Sequence, residues 1–595
     1  MTRPETWDLS VLYAGLDDPR WQADFGAALE ASQDALDYVK ALTPEAFGEK
    51  TCAEALGRID GALNLASKTT TFATMLHIAS SARQDALNAL ERLDQAGARN
   101  AAAVSALSRL IHTTGAAEPL SRAPALSAYA AFFRRQAEAA PHILPEETEA
   151  VVLRMQQTGG QSWGRLRGVM EAGMTAEVTL DGEVRTLPVT QVRALFADED
   201  PEVRLRALRA DIEAARGSAA VFAACLNGIK GEALAIAKLK GFDGVLDWML
   251  FLSRMRRATL DALNAAIREA LPAFRRFLAV KARLMGREKG LAYCDIGAPL
   301  FGEGRRFSLE EARRFLVDAF SGADRGLAAF ADSAFRNRWI DAMPRAGKQG
   351  GAMCIPLHTA RESRIFANFD GSLSGVVTLA HELGHAWHDR SMFRLPLLMR
   401  DAPTPVCETA STFNETLVYE RALAGTSGRE RLDRLNAVLS GATQVVVDIF
   451  SRFLFEDEVL RRREGGGLDA DALCAIMRES QRAAYGSSLD PDAMHPYMWV
   501  DKVHYYIPDF HYYNFPYAFG LLFARGLYRA YGRDPQGFFE RYDRFLEQTC
   551  TLSVEEAGGN MGLDLTQIAF WRDALGDFET MADEFERLAG EEGCL

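Results

Sequence analysis

The run His381-Glu382-Leu383-Gly384-His385 constrains this chain more than any other stretch, because its residues can work together only on one side of a helix. Side chains four apart lie one above the other on a helical face, so both imidazoles can reach a single metal ion. The surrounding residues supply that helix. Val377, Ala380, Leu383, Ala386 and Trp387 form an apolar stripe at helical spacing, Ser372 or Ser374 offers an N-cap, and no proline follows until Pro396. Two histidines in this arrangement suit zinc. Glu382 then stands beside the metal's open position, where it can take a proton from water.

A catalytic zinc site needs a third protein ligand. His388 shares the stripe but lies seven residues beyond His381, a rise of about 10.5 Å along the axis and too far to share one ion. The distant third histidine of a metzincin pattern would fall at position 391, which is Ser391. A second helix must therefore contribute. After the connection Pro396 to Pro405, the run from Val406 to Leu417 reads as that helix, with Glu408 and Glu415 on one face. Glu408, nearest the turn, is the preferred ligand and Glu415 the other candidate. The remaining acid can orient a ligand histidine by accepting its other N–H; an exposed helix charge is the competing reading for Glu415.

The rest of the chain sets the fold class. Trp7 to about Gly173 reads as helices, most clearly Ser81 to His112, which is rich in Ala, Leu, Gln, Glu and Arg. Alternation around Asp181-Gly182, from Ala176 to Leu187, predicts a β-hairpin and places a boundary near residue 190. An N-terminal helical region, 1–190, would then precede a catalytic region, 191–595. Helical patterning resumes from Thr190. It breaks again at Gly347, Gly350 and Gly351, after which Arg364 to Phe369 reads as a strand leading into the metal helix. Such a strand can hold an extended peptide by main-chain pairing, or serve as a plain edge strand. The expected class is mainly α, with a small β element beside the metal helix. His77, His112 and His142 are isolated from one another and read as packed or surface residues.

Composition excludes several functions. With 48% apolar and 25% charged residues the chain is globular, and a net charge of −14 without a basic block argues against nucleic-acid binding. Eight cysteines without a CxxC pair suit reduced cytosolic thiols. No secretory h-region and no uncharged apolar run of membrane-spanning length is apparent, so the expectation is a cytoplasmic protein without a membrane partner.

One more segment stands out. From His504 to Gly520 the chain concentrates tyrosine and histidine: His504-Tyr505-Tyr506, then His511-Tyr512-Tyr513, then Tyr517. Hydrolysis of an amide develops negative charge on the carbonyl oxygen, and a Tyr O–H or His N–H opposite a metal can stabilise it. A buried aromatic cluster is the alternative.

Taken together, His381-Glu382-Leu383-Gly384-His385 and Glu408-Thr409-Ala410-Ser411-Thr412-Phe413-Asn414-Glu415 resemble the oligoendopeptidase F family, zinc oligopeptidases related to thimet oligopeptidase. The resemblance extends to Trp7-Asp8-Leu9, to Glu362-Ser363-Arg364-Ile365 and to the segment from His504 to Gly520, and so spans nearly the whole chain. It implies two largely helical lobes enclosing a deep substrate channel, with one zinc held by His381, His385 and Glu408. It also implies hydrolysis of short peptides with Glu382 as base, His504 and Tyr513 as catalytic donors, and Tyr506 and Tyr517 as substrate contacts. A dipeptidyl carboxypeptidase-type exopeptidase on the same site and a non-catalytic peptide-binding protein are the competing expectations.

Overall fold

Long stretches rich in Ala, Leu, Glu and Arg leave this chain little alternative to helix. In the computed structural model, which describes residues 6–301 and 306–592, helix accounts for 71% and strand for 4%, so helix packing dictates the architecture. Near the N-terminus α1 (Pro19–Ala41), α2 (Glu49–Ala79) and α3 (Gln84–Thr113) pack on one another. Asp18 starts α1 by accepting from the Arg20 N–H at 2.9 Å, and proline fills the first helical position, where no N–H is needed. The core under these helices contains Trp7, Tyr13, Trp21, Phe25 and Phe72, together with Leu357 and Phe366 from far along the chain.

The expected hairpin is present as β1 (Thr175–Leu180) and β2 (Glu183–Pro188), antiparallel, with Leu180 opposite Glu183. Asp181 and Gly182 both have positive φ, 53° and 80°, as a type I′ turn requires. Ala176 and Val178 point into a core shared with Val189, Val192, Phe222, Trp499 and Tyr505. Packing is therefore continuous across residue 190.

A second sheet has the order β3-β5-β4, with β3 (Ile340–Asp341), β4 (Met353–Leu357) and β5 (Glu362–Phe366). The strand expected from Arg364 to Phe369 is β5, which begins earlier and ends at Phe366. It is not an edge: it runs parallel to β3 and antiparallel to β4, with Ile355 opposite Arg364. The chain turns back through Gly347 and Gly351, at φ 80° and 86°, and lays β4 outside it. An edge able to pair with a peptide therefore belongs to β4. Two stretches far apart in sequence meet at this sheet. Arg364 Nε donates to the Asp8 carbonyl at 2.7 Å, and the Trp7 ring lies 5.9 Å from Phe366.

Two helical stretches, Pro201–Leu239 and Gly428–Arg463, are long and apolar enough to cross a membrane, which the sequence reading did not anticipate. Their most apolar windows are 50% and 78% buried inside the protein, as core helices are.

The motif helix runs Leu373–Met392, and Ser372 rather than Ser374 is its cap, accepting from the Gly375 N–H at 3.0 Å. It rests against the helix Thr409–Leu423 so closely that the two backbones touch. A Cβ on Gly384 would lie 2.4 Å from the Ala410 carbonyl oxygen and 2.5 Å from Ser411 Cα. Backbone cannot swing aside as a side chain can, so Gly384→Ala must push the helices apart, at about 1–3 kcal/mol. The expected outcome is a lower thermal midpoint together with reduced metal retention. An unchanged midpoint would show that the helices part freely.

Candidate metal centre

His381 and His385 emerge from the motif helix with their Nε2 atoms 3.1 Å apart. Glu408 occupies the junction between the short turn Thr404–Cys407 and the helix Thr409–Leu423, so its side chain leaves at the point where the second helix meets the first. Its Oε2 lies 3.2 Å from Nε2 of each histidine. These three residues bring their ligand atoms within 4.8 Å of one another.

The atoms around them fix orientation. Glu415 accepts from His381 Nδ1 at 2.5 Å, which leaves Nε2 as that ring's metal-facing nitrogen. Ser411 Oγ stands 2.8 Å from Glu408 Oε2, and Asn414 Nδ2 donates to the Ala380 carbonyl at 3.2 Å, tying the second helix to the first. Burial works against a charge on His381, yet Glu408 and Glu415, one at each ring nitrogen, together raise its pKa to about 10. Burial also opposes ionisation of Glu408, but the two histidines outweigh it and hold the carboxyl far below the usual range. Two imidazoles and one carboxylate converging this closely make a donor set suited to a divalent cation, and the residue types are those of a zinc site. Glu382 is 5% exposed, its Oε2 has no hydrogen-bond partner, and burial raises its pKa.

Other residues of the motif helix serve elsewhere. His388 Nε2 faces Thr549 Oγ1 at 2.9 Å and the Leu546 carbonyl at 3.2 Å, away from the cluster. Asp389, one turn after His385, accepts from Ser363 Oγ at 2.8 Å and so pins the helix to β5. The anchoring roles of Asp389, Ser411 and Asn414 were not read from sequence; spacings of four from His385 and three from Glu408 were the available signal for the first two, and Asn414, six residues from Glu408, carried none.

The aromatic segment divides. The rings of His504 and Tyr513 lie 5.1 Å apart, and those of Tyr513 and Tyr517 lie 5.4 Å apart. Tyr517 Oη is 3.3 Å from His504 Nε2. Tyr517 sits in the first turn of the helix Phe515–Arg533, one turn before Gly520, where an added Cβ would be 3.1 Å from Glu408 Cβ. Tyr517 therefore lies near Glu408, and His504 and Tyr513 pack against it. Tyr506 does not join them, contrary to its expected place among the substrate contacts. The 3-10 turn Val503–Tyr506 directs its ring into the core, edge-on to Phe222 and under Arg167, and leaves it 3% exposed.

Comparison with known proteins places these features in a family context. Residues 326–577 match the model for peptidase family M3, and residues 115–175 match the model for oligopeptidase F; together they cover more than half of the chain. Oligopeptidase PepF of Bacillus subtilis is 24% identical over 457 residues, which is 75% of this chain and 67% of that protein. A crystal structure from Chlamydophila abortus superposes with a TM-score of 0.85 at 18% identity over 98% of both chains. Oligoendopeptidase-F from Enterococcus faecium superposes with a TM-score of 0.70 at 18% identity, over 96% of this chain and 100% of that one. The two structures share the fold.

Two outcomes follow from the site's surroundings. Glu415→Ala removes the partner of His381 Nδ1 and is expected to weaken zinc binding about 10- to 100-fold in a chelator competition. Unchanged affinity would mean that other contacts orient the ring. Burial, aided by Arg400 at His358, by His385 at His388 and by Arg452 at His504, lowers each of these three pKa values from the ordinary 6.5 to about 4. Between those pH values the unfolded chain binds these protons and the folded chain does not, so stability is lost as pH falls from about 6.5 toward 4. Histidine-resolved NMR should show the three rings titrating near 4 while the thermal midpoint drops across the same window.

Proposed function

The chain belongs to peptidase family M3, and from that premise we propose that it is a zinc-dependent endopeptidase acting on short peptides in the cytoplasm. The observation that carries the reading is the convergence of His381, His385 and Glu408 beside the buried carboxylate of Glu382. His381, His385 and Glu408 would hold the metal. When bound, zinc supplies Lewis acidity to water and to the peptide carbonyl.

Glu382 acts as the base, taking the proton of the attacking water and returning it to the leaving amine. Its burial suits both steps, because a carboxylate with a raised pKa is a better proton acceptor and its acid form is still more acidic than the ammonium of the leaving amine. Tyr513, Tyr517 and His504 form the opposing wall, where an O–H or N–H can donate to the carbonyl oxygen as it gains charge. Tyr506, packed against Phe222, takes no part. An extended substrate can add to the edge of β4 through main-chain hydrogen bonds. Cleavage within the peptide is what the oligoendopeptidase-F of Enterococcus faecium, whose fold this chain shares, is named for.

In the proposed organisation a helical region, 1–190, stands ahead of the catalytic region, 191–595, with a deep channel between two helical lobes. The core around α1 to α3 lies largely within the first region and supports this division. The core shared across residue 190 keeps the β1–β2 hairpin packed against the second region.

Glu382→Gln is expected to retain zinc while lowering kcat about 100- to 10,000-fold. Near-normal hydrolysis by that variant would remove Glu382 from the mechanism. Peptides blocked at both ends, cut internally and mapped by mass spectrometry, test the endopeptidase assignment. Cleavage confined to dipeptides from a free C-terminus would replace it with a carboxypeptidase.

A further inference from the structure

The loop that carries His504 to Tyr513 closes on a strained residue. Tyr512 has φ of 52°, in the left-handed region that aromatic residues rarely enter. Its N–H donates to Glu456 Oε1 at 3.0 Å, from the neighbouring helix Ile449–Arg463. Glu456 is 1% exposed and accepts twice more: from Lys230 Nζ at 2.5 Å and, through Oε2, from Asn514 Nδ2 at 2.8 Å. Lys230 comes from the helix Pro201–Leu239, is equally buried, and also lies 3.2 Å from His511 Nδ1. Asn514 in turn caps the helix Phe515–Arg533, its Oδ1 accepting from the Phe515 N–H at 2.6 Å.

A buried lysine–glutamate pair is a poor investment in stability alone, since desolvation consumes much of the attraction. A strained backbone persists only where its surroundings over-determine it. Here the same carboxylate holds residue 512 on one side of Tyr513 and residue 514 on the other. It thereby fixes both the backbone that aims Tyr513 and the start of the helix that carries Tyr517. Glu456 and Lys230 lie inside the protein and cannot touch a substrate.

We propose that the buried Glu456–Lys230 pair is a positioning device for the reaction, aiming Tyr513 and Tyr517 at the metal centre by locking the backbone from Tyr512 to Asn514. The inference rests on the reading that these tyrosines meet the substrate.

The test is a double-mutant cycle on the zinc-loaded, full-length protein. Glu456→Gln, Tyr513→Phe and Tyr517→Phe are made singly, and Glu456→Gln is combined with each Phe variant. For each, kcat and KM on an internally quenched peptide, thermal midpoint and zinc content are measured. Glu456→Gln is expected to lower kcat about 10- to 100-fold with zinc retained. That loss should vanish in whichever Phe variant is itself slow, because a misaimed hydroxyl can be lost only once. Asn514→Ser keeps both the ion pair and a capping hydroxyl while deleting one donor to Glu456, and carries the same cycle if Glu456→Gln does not fold. Slow Phe variants with an unaffected kcat in Glu456→Gln, or losses that simply multiply, would overturn the positioning role and leave the tyrosine reading standing. Phe variants of full activity would overturn both.

Discussion

Everything at the candidate metal centre depends on two helices touching backbone to backbone at Gly384. Because that residue has no Cβ, the Ala410 carbonyl and Ser411 Cα can occupy the space where one would be. The start of the second helix is thereby brought against the middle of the first. That contact places Glu408 Oε2 3.2 Å from both histidine nitrogens. It also puts Glu415, two turns on, against the far side of His381, and Asn414 against the Ala380 carbonyl. Ligand, orienting acid and helix clamp are three results of one close approach. The glycine within the motif is as necessary to the arrangement as its histidines.

Such an arrangement concentrates negative charge. Glu382, Glu408 and Glu415 surround two imidazoles at a half-buried position, and carboxylates drawn together away from water repel one another unless a cation intervenes. The chain meets this by holding His381, Glu408 and the motif helix in place. Ser411 and Glu415 fix the ligands from the second helix, while Asp389 and Ser363 fix the motif helix from the sheet. Rigidity of this kind favours an ion of fixed demands over a mobile proton.

How much of this was legible in the sequence follows the range of the interactions. The motif helix, its serine cap and the two-helix arrangement with Glu408 and Glu415 on one face rest on spacings of three, four and seven residues, and a linear pattern records those directly. Tyr506 shows the limit. It stands two residues from His504, yet a single 3-10 turn sends its ring to Phe222 and Arg167, and composition carries no trace of that turn. β5 was legible as a strand but not as a central one, because its neighbours depend on where β4 returns. Lys230 and Glu456 lie 226 residues apart on helices whose apolar stripes say nothing about a charged pair between them.

The proposed chemistry also needs the opposing wall to donate rather than accept hydrogen bonds, and its electrostatics provide for that. Burial raises the pKa of Tyr517 above its ordinary value, with Tyr513 and Glu408 adding to the effect, so its phenol keeps its proton throughout the neutral range. Burial also lowers that of His504, and Arg452, Lys502 and Arg167 add to the effect, so the ring is uncharged. A neutral imidazole close to a metal centre does not compete with the metal's charge as an imidazolium would. Its Nε2 stands 3.3 Å from Tyr517 Oη, and with the proton on that nitrogen it donates to the phenol oxygen and leaves the phenol's own proton for the substrate carbonyl. Acids gather about the metal ligands and cations stand behind the aromatic wall, and Tyr517 feels both Glu408 and Arg452. A carbonyl oxygen gaining charge between them would meet a Tyr517 hydroxyl that already carries its proton, with little reorganisation left for the transition state to supply.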